Sequence, residues 1–307
     1  MNIITLTLNP AIDVHCHAPT FSACHENLCT VRERSMAGKG VNISRALGFN
    51  GVDSLAFVVL GEENGAAFRR SLEADGMNLL SVTVPGAIRE NITIHCDDAD
   101  ETRISFAGFS ADDTLLDRVY DEIAPRVNDD CIVTFTGSNP KGLSMSAVKD
   151  FLRNLRKLGA RIVIDSRSFT LDDLIEMKPW LIKPNQEEIS AYLGREIETV
   201  EQVVAAARDL REKGIENVMI SLGAKGALLV CSEGVFEAVP PKVEALSTIG
   251  AGDSTIAGFL SAGGKSAVER LRTGVAFGTA ACLTSGTKPP LPEDVKAVAA
   301  KVTVNEL

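Results

Sequence analysis

The sequence predicts an α/β fold with a mostly parallel sheet, helices on both of its faces, and a separate small sheet. From residue 131 onward, short apolar strands alternate with helices, which is the order of βαβ units. Earlier in the chain, alternating stretches occur without crossover helices and do not fit that sheet. They predict a small second sheet built from two insertions, at roughly residues 11–35 and 88–108, within one domain of residues 1–307.

Apolar runs and their periodicity locate the elements of the large sheet, and Gly or Asn-Pro marks where several of them end. The predicted strands are residues 3–8, 55–60, 131–136, 161–165, 180–182, 218–221 and 227–230. The predicted helices are residues 41–48, 66–74, 147–158, 200–213, 254–263, 267–285 and 292–301.

The small sheet is predicted from residues that alternate in polarity. Val14 and Cys16 alternate with His15 and His17, as in a strand with one exposed face. Residues 91–96 and 102–106 also alternate, and an acidic run at 97–101 separates them, so this part predicts a hairpin.

Composition and charge exclude several classes of function. The formal net charge of −10 argues against non-specific binding of nucleic acid. The sequence contains no run of 18 apolar residues, so it predicts no membrane span. Its first residues predict a strand and lack the basic start of a signal peptide. Seven cysteines without framework spacing predict free, partly buried thiols in a reducing cytoplasm.

The most informative run is residues 247–254, Ser-Thr-Ile-Gly-Ala-Gly-Asp-Ser. Gly250 and Gly252 permit a tight turn before a helix whose first amides can bind an anion. Asp253 would repel a bound phosphate, but it suits a base that accepts a proton from an attacking hydroxyl. The same four residues also fit an ordinary loop with an Asp-capped helix.

Two further runs carry polar groups next to predicted elements. Residues 37–42, Ala-Gly-Lys-Gly-Val-Asn, place amides, a cation and an amide side chain before a helix, without P-loop spacing. Residues 183–188, Lys-Pro-Asn-Gln-Glu-Glu, follow a strand, with Pro184 expected in the first turn of a helix. Asn185 and Glu188 then share one face and suit oxygen coordination of hydrated Mg²⁺. A Gly-rich turn and a plain helix start are the alternatives for these two runs.

Three more signals lie at predicted strand ends, where open α/β sheets bind ligands. Residues 221–227 contain Gly-x-x-Gly, which fits either a loop beneath nucleotide phosphates or a hairpin turn. Residues 136–142, Thr-Gly-Ser-Asn-Pro-Lys-Gly, follow another strand, and Asp13 lies just beyond the first.

Taken in order, these runs resemble the ribokinase-like carbohydrate kinases of the phosphofructokinase-B group, nearly end to end. The runs at 37–42 and 247–254 are similar to the two signatures of that family. Residues 7–13 and 137–142 are similar to the branch that acts on ketohexose phosphates, chiefly 1-phosphofructokinase and tagatose-6-phosphate kinase.

The resemblance implies a ribokinase-like three-layer α/β/α fold with a small β-sheet lid, and transfer of phosphate from ATP with Mg²⁺. Asp253 would be the catalytic base, and the amides of Gly250, Ala251 and Gly252 would form an anion hole. The remaining implied roles group by ligand. The residues implied for the sugar phosphate are Asp13, Gly38, Lys39, Asn42, Arg89, Arg103 and Ser138, with Lys141 as a further candidate. Those implied for ATP are Lys183, Asn185, Ser221, Gly223, Gly226 and Gly252. Glu188 would order Mg²⁺ through water.

The sequence departs from the family pattern in the lid. Residues 24–28, Cys-His-Glu-Asn-Leu, lack both the Gly and the Arg expected around the second lid strand, so a cation for the sugar phosphate is missing or replaced. Ala37 stands where Gly is commoner. The lid also holds all four His and four of the seven Cys. Their spacing matches no standard zinc site, and a lid surface or a homodimer contact through the lid sheet is the favoured interpretation.

The expected function is therefore phosphorylation of a ketohexose phosphate, with fructose 1-phosphate giving fructose 1,6-bisphosphate as the first choice. Tagatose 6-phosphate and fructose 6-phosphate stay open as substrates. More distant alternatives are a kinase of an unphosphorylated sugar or nucleoside, and a non-catalytic sugar-phosphate sensor. The intact Asp253 disfavours the sensor, because a pure binder needs no base.

Overall fold

A computed structural model describes residues 2–97 and 101–307, in two sheets. The central part of the predicted turn at 97–101 lies outside the described residues. The strands are β1 (Asn2–Thr7), β2 (Ala11–Ala18), β3 (Thr30–Ala37), β4 (Leu55–Gly61), β5 (Asn78–Val84), β6 (Arg89–Cys96), β7 (Thr102–Ser105), β8 (Cys131–Thr136), β9 (Arg161–Asp165), β10 (Leu181–Ile182), β11 (Asn217–Ser221), β12 (Ala227–Cys231), β13 (Gly234–Val239) and β14 (Thr303–Glu306).

The large sheet has the strand order β14-β13-β12-β11-β10-β9-β8-β1-β4-β5. Pairing is parallel from β11 through β1 to β5 and antiparallel from β11 to β14. The carboxyl ends of the parallel strands therefore meet along one edge, where ligands of such sheets bind. The predicted mostly parallel sheet is confirmed.

Helices cover both faces of this sheet. Alternate residues of one strand enter different cores: Val218 and Ile220 belong to one cluster, and Met219 to the other. The helices are α1 (Lys39–Phe49), α2 (Gly65–Ala74), α3 (Thr114–Ile123), α4 (Met145–Lys157), α5 (Leu171–Met177), α6 (Gln186–Leu193), α7 (Val200–Glu212), α8 (Ala251–Ser261), α9 (Ala267–Ala281) and α10 (Pro292–Ala299). Helices α1, α8, α9 and α10 pack in one layer, and α2, α3, α4, α6 and α7 in the other. None of the helices in the described part of the chain is long and apolar enough to cross a membrane.

The small sheet has the order β3-β2-β6-β7 and comes from the two predicted insertions. β2 pairs with β3 antiparallel and with β6 in parallel, and β6 and β7 form the predicted antiparallel pair. Cys16 is buried, whereas His15 and His17 are partly exposed, as the alternation of β2 predicts. A register shift between His15 and Cys16 bends this strand.

Several elements were not predicted from the sequence. Strands β5, β13 and β14 extend the large sheet at its two edges, and helices α3 and α5 fill crossovers. The last long helix was predicted to reach residue 285 but ends at Ala281.

Candidate active site

A cavity of about 1010 Å³ lies along the carboxyl edge of the large sheet and reaches the small sheet. Its lining includes all of the sequence-predicted site residues except Asp13, Asn42, Gly250 and Asp253, which lie close by. Lys141, named above as a further candidate, is exposed and does not line the cavity. The predicted residues that line it are Gly38, Lys39, Arg89, Arg103, Ser138, Lys183, Asn185, Glu188, Ser221, Gly223, Gly226, Ala251 and Gly252.

Helix α8 points its N-terminus at this cavity. Gly250 is its N-cap with φ of 79°, a left-handed conformation that favours glycine. The first amides of a helix have no acceptor within the helix, and the one turn bond here, from Ala251 N to Thr248 O, is long at 3.4 Å. A Cβ at Gly252 would lie 3.1 Å from Lys183 Nζ, so glycine leaves room for that ammonium beside the amides.

Asp253 lies in the first turn of α8 and is only 7% exposed. Asn42 Nδ2 donates a hydrogen bond of 2.8 Å to Asp253 Oδ2. Burial raises the pKa of Asp253 to about 6, although Lys39 and the Asn42 bond oppose the rise. At neutral pH the carboxylate is therefore ionised but basic enough to accept a proton, as a general base requires.

Lys39 and Lys183 meet at the buried carboxylate of Asp165, which ends strand β9. Lys39 Nζ lies 2.9 Å from Asp165 Oδ2, and Lys183 Nζ lies 3.9 Å from the same atom. Burial alone would raise the pKa of Asp165, but the two ammonium groups outweigh it and the pKa is lowered. Burial likewise opposes the charge on Lys39, yet Asp165 and Asp253 raise its pKa. Lys39 thus stays charged, and Lys183 lies beside the N-terminus of α8.

A second cluster of charged side chains lies where the small sheet meets the cavity. Asn91 Nδ2 donates to Asp13 Oδ1 at 2.8 Å, and Arg103 lies 3.8 Å from the same oxygen. Burial lowers the pKa of Arg89, and Arg103 adds to this shift, although Asp13 opposes it. The two guanidinium groups and one carboxylate leave a net positive charge at this end of the cavity.

Asn185 and Glu188 form a capping box at the start of α6. Asn185 Oδ1 accepts from Glu188 N at 2.7 Å, and Glu188 Oε2 accepts from Asn185 N at 3.1 Å. Arg167 Nε donates to Glu188 Oε1 at 3.0 Å. Pro184 was expected inside the first turn, and this was wrong: the helix begins at Gln186, with Asn185 as its N-cap. The capping box is the helix-start alternative considered for this run.

The remaining runs form the walls of the cavity. Ser221 to Ala227 is a hairpin turn between β11 and β12, which is one of the two alternatives for this run, and it also lines the cavity. A Cβ on Gly226 would lie 2.0 Å from Ala238 O, which requires glycine there. Ser138 Oγ accepts from Asn9 Nδ2 at 3.1 Å. Gly38 precedes α1, and a Cβ there would lie 2.5 Å from Thr7 Cγ2.

The histidines of the small sheet contact a neighbouring histidine or an acidic side chain. His15 Nδ1 lies 3.2 Å from His95 Nε2, and His17 Nε2 lies 2.9 Å from Asp97 Oδ1. Within residues 2–97 and 101–307, no group of three or more His, Cys, Asp or Glu side chains is arranged to hold a metal ion.

Sequence reasoning missed Asp165, Asn91 and Arg167. Asp165 carried a usable signal, because a carboxylate at the end of a parallel strand lies at the ligand edge. Asn91 and Arg167 are brought in by tertiary packing, and their local sequence gives no sign of it.

Comparison with known proteins agrees with this geometry. Residues 11–294 match the model of the pfkB family carbohydrate kinases. The chain is 36% identical to the 1-phosphofructokinase of Haemophilus influenzae over 84% of this chain and 83% of the relative. It is 34% identical to that of Rhodobacter capsulatus over 100% and 98%.

Solved structures show the same fold. Phosphofructokinase-2 from Escherichia coli, in complex with substrates and products, superposes with a TM-score of 0.92 at 28% identity, over 98% of this chain and 99% of that one. A tetrameric inhibited form of the same enzyme superposes with a TM-score of 0.88, over 97% and 98%. The family and the fold that the sequence motifs predicted are confirmed, and the chain belongs to the pfkB family of carbohydrate kinases.

Proposed function

We propose that this chain transfers the γ-phosphoryl group of ATP to a hydroxyl of fructose 1-phosphate, giving fructose 1,6-bisphosphate. The observation that carries the proposal is Asp253, a buried carboxylate with a pKa of about 6, held by Asn42 in the first turn of α8. The names of the relatives, 1-phosphofructokinase at up to 36% identity, support the choice of substrate.

The mechanism follows from the groups around that carboxylate. Asp253 accepts the proton of the attacking hydroxyl, and general base catalysis of this kind typically contributes ~10²–10⁴-fold. The amides of Ala251 and Gly252 stabilise negative charge on the transferring group, because a helix N-terminus carries partial positive charge. Lys183, beside Gly252, adds a full positive charge at the same place.

The sugar phosphate would bind between the small sheet and α1. The carboxamide oxygen of Asn42 is buried without a hydrogen-bond partner among the described residues, so it can accept a bond from a sugar hydroxyl. Arg89 and Arg103 supply the guanidinium pair for the phosphate that does not react, and Ser138 lies on the same wall. Residues 24–28, where the family pattern led us to expect a further cation, do not line the cavity, and Leu28 is 89% exposed.

ATP would lie along the other half of the cavity, against Lys183, Asn185, Ser221, Gly223 and Gly226. The residues also fit Mg²⁺ bound through water. Glu188 and Asp165 border a small void of about 10 Å³, which is room for one water molecule between two carboxylates. Mg²⁺ would neutralise charge on the phosphates, and Glu188 would hold one of its waters.

The assembly we propose is a homodimer joined through the small sheet. Val31 and Ile104 on this sheet and Phe106 directly after β7 are exposed, Phe106 by 51%, and Leu28 shortly before β3 is almost fully exposed. Paired lids would cover these apolar side chains.

In this proposal the chain is one domain, and its location is cytoplasmic, as the cysteine content predicts. Closure of the lid excludes water from the phosphoryl transfer.

A panel of acceptors tests the proposal. ADP release is measured with ATP and, in turn, fructose 1-phosphate, fructose 6-phosphate, tagatose 6-phosphate, fructose and a nucleoside. The expected result is the highest kcat/KM with fructose 1-phosphate and loss of that activity in Asp253→Asn. A higher kcat/KM with another acceptor would replace the substrate, and silence with all of them would favour a sensor.

A further inference from the structure

A second cavity lies at the amino ends of the parallel strands, whereas the site described above lies at their carboxyl ends. Its volume is about 420 Å³, within the range of small-molecule sites. It is lined at the amino ends of the strands by Arg161 and Trp180, and by Phe259 and Leu260 from the last turn of α8. Arg270 of α9 completes it.

Two arginines in this cavity are held by stacking on Trp180. The guanidinium carbon of Arg161 lies 5.2 Å from the centre of the indole ring, and that of Arg270 lies 5.8 Å from it. Stacking uses the flat face of a guanidinium and leaves the N–H groups at its edge available to an anion. Both arginines are therefore positioned in advance beside the cavity.

The donors of these arginines are only partly used. The Nε atoms of both are buried and have no hydrogen-bond partner among the described residues. In residues 2–97 and 101–307, Arg161 forms no ion pair with a carboxylate within 4.0 Å. Because these Nε atoms expose almost no surface, a ligand in the cavity would meet the terminal N–H groups of the two guanidiniums instead.

Two carboxylates lie close enough to these arginines to offset part of their positive charge. Glu233 Oε1 accepts from Arg270 at 3.2 Å, but its other oxygen accepts from Ala267 N at 2.7 Å, so it also caps α9. Asp130 lines the cavity but is exposed. Asp130 interacts electrostatically with Arg161, but among the described residues only Arg270 of the two arginines forms an ion pair with a carboxylate within 4.0 Å.

We propose that this cavity binds a small phosphate-type anion between Arg161 and Arg270. Guanidinium groups match phosphate oxygens with paired N–H donors, and two of them converge here. Such a ligand would not overlap the other cavity, because the eleven residues of α8, about 16 Å in length, separate its two ends.

Trp180 is the only tryptophan of the chain, so its fluorescence reports directly on this cavity. Inorganic phosphate is titrated into the full chain, with potassium chloride at matched ionic strength as the blank. We expect a saturable change in Trp180 fluorescence. Loss of charge-assisted hydrogen bonds predicts binding at least about tenfold weaker in Arg161→Met.

Three further variants separate the outcomes. Arg195→Met removes an exposed arginine elsewhere and should bind as the wild type does. Arg89→Met should also leave the response unchanged, because it alters the other cavity. Arg161→Lys keeps the charge and most of the packing but loses the paired donors, so it should bind weakly even if Arg161→Met does not fold. A response no larger than that with chloride, equal binding in Arg161→Lys and wild type, or loss of the response in Arg89→Met would overturn the proposal.

Discussion

The hydrogen bond from Asn42 to Asp253 makes the basicity of the proposed base adjustable. The pKa of Asp253 is raised to about 6 by burial, and the 2.8 Å bond from Asn42 holds it below the value that burial alone would give. Asn42→Leu removes the donor and keeps a similar volume. The ionised form loses support, so the pKa of Asp253 should rise further.

The size of the shift follows from the energy of the bond. A hydrogen bond to a charged group contributes about 1.5–3 kcal/mol, which corresponds to about 1–2 pH units. In the wild type, the ionised fraction falls from about nine-tenths at pH 7 to about one-tenth at pH 5. In Asn42→Leu, the same fall should occur between about pH 8 and pH 6 for a shift of about one unit, or between about pH 9 and pH 7 for a shift of about two.

The assay is the dependence of kcat/KM for the sugar phosphate on pH, because this parameter reports the essential base of the free enzyme. The second pKa of a phosphate is also near 6 and could produce an acid limb by itself. That group belongs to the substrate, so its contribution stays in place in Asn42→Leu. An acid limb at the same pH in both proteins would refute the assignment of the limb to Asp253.

Three other predictions concern the same region. Arg89→Ala should raise the KM for the sugar phosphate by about tenfold or more with little change in kcat or in the KM for ATP, because it contacts a phosphate that does not react; an unchanged KM would place that phosphate elsewhere. Gly40→Ala should lower the free energy of unfolding by about 1–3 kcal/mol in a denaturant titration, because its Cβ would lie 2.5 Å from Thr7 Oγ1. Gly48→Ala in the same helix is the control: its Cβ meets nothing within 4 Å, so it should stabilise the protein slightly. Equal effects of the two substitutions would contradict the close packing at Gly40. Asp253→Asn should raise the free energy of unfolding above pH 6 by about 3 kcal/mol and leave it unchanged below pH 4. The reason is that a carboxylate whose pKa is raised by folding destabilises the folded protein once it is ionised. A loss of stability at pH 8 would show that the charge of Asp253 is stabilising.

The central strands could be predicted from sequence because they are continuous apolar runs between breaks. Strand β5, Asn78–Val84, is less distinct: it lies at an edge of the sheet, and several of its residues are only partly buried. Strand β14, Thr303–Glu306, has a polar composition and exists through its pairing with β13. Edge strands of this kind depend on a neighbour that the local sequence does not reveal.

The candidate site was predicted where several motifs agree on one edge of the sheet. Asp253, Lys39 and Lys183 each lie at the carboxyl edge, so their proximity follows from topology once the sheet is known. Asp165, which holds both lysines, was missed because a single Asp after a strand is a common feature. For the Asn185 and Glu188 pair, oxygen ligands and a plain helix start were both open from the sequence, and the structure shows that their side chains form a capping box.

The most direct test of Asp253 as the catalytic base compares the wild type with Asp253→Asn at saturating ATP and fructose 1-phosphate, with ligand binding measured by calorimetry in both proteins. If Asp253 is the base, kcat falls ~10²–10⁴-fold while both ligands still bind with similar affinity. A kcat near that of the wild type, with binding retained, would show that Asp253 is not the base.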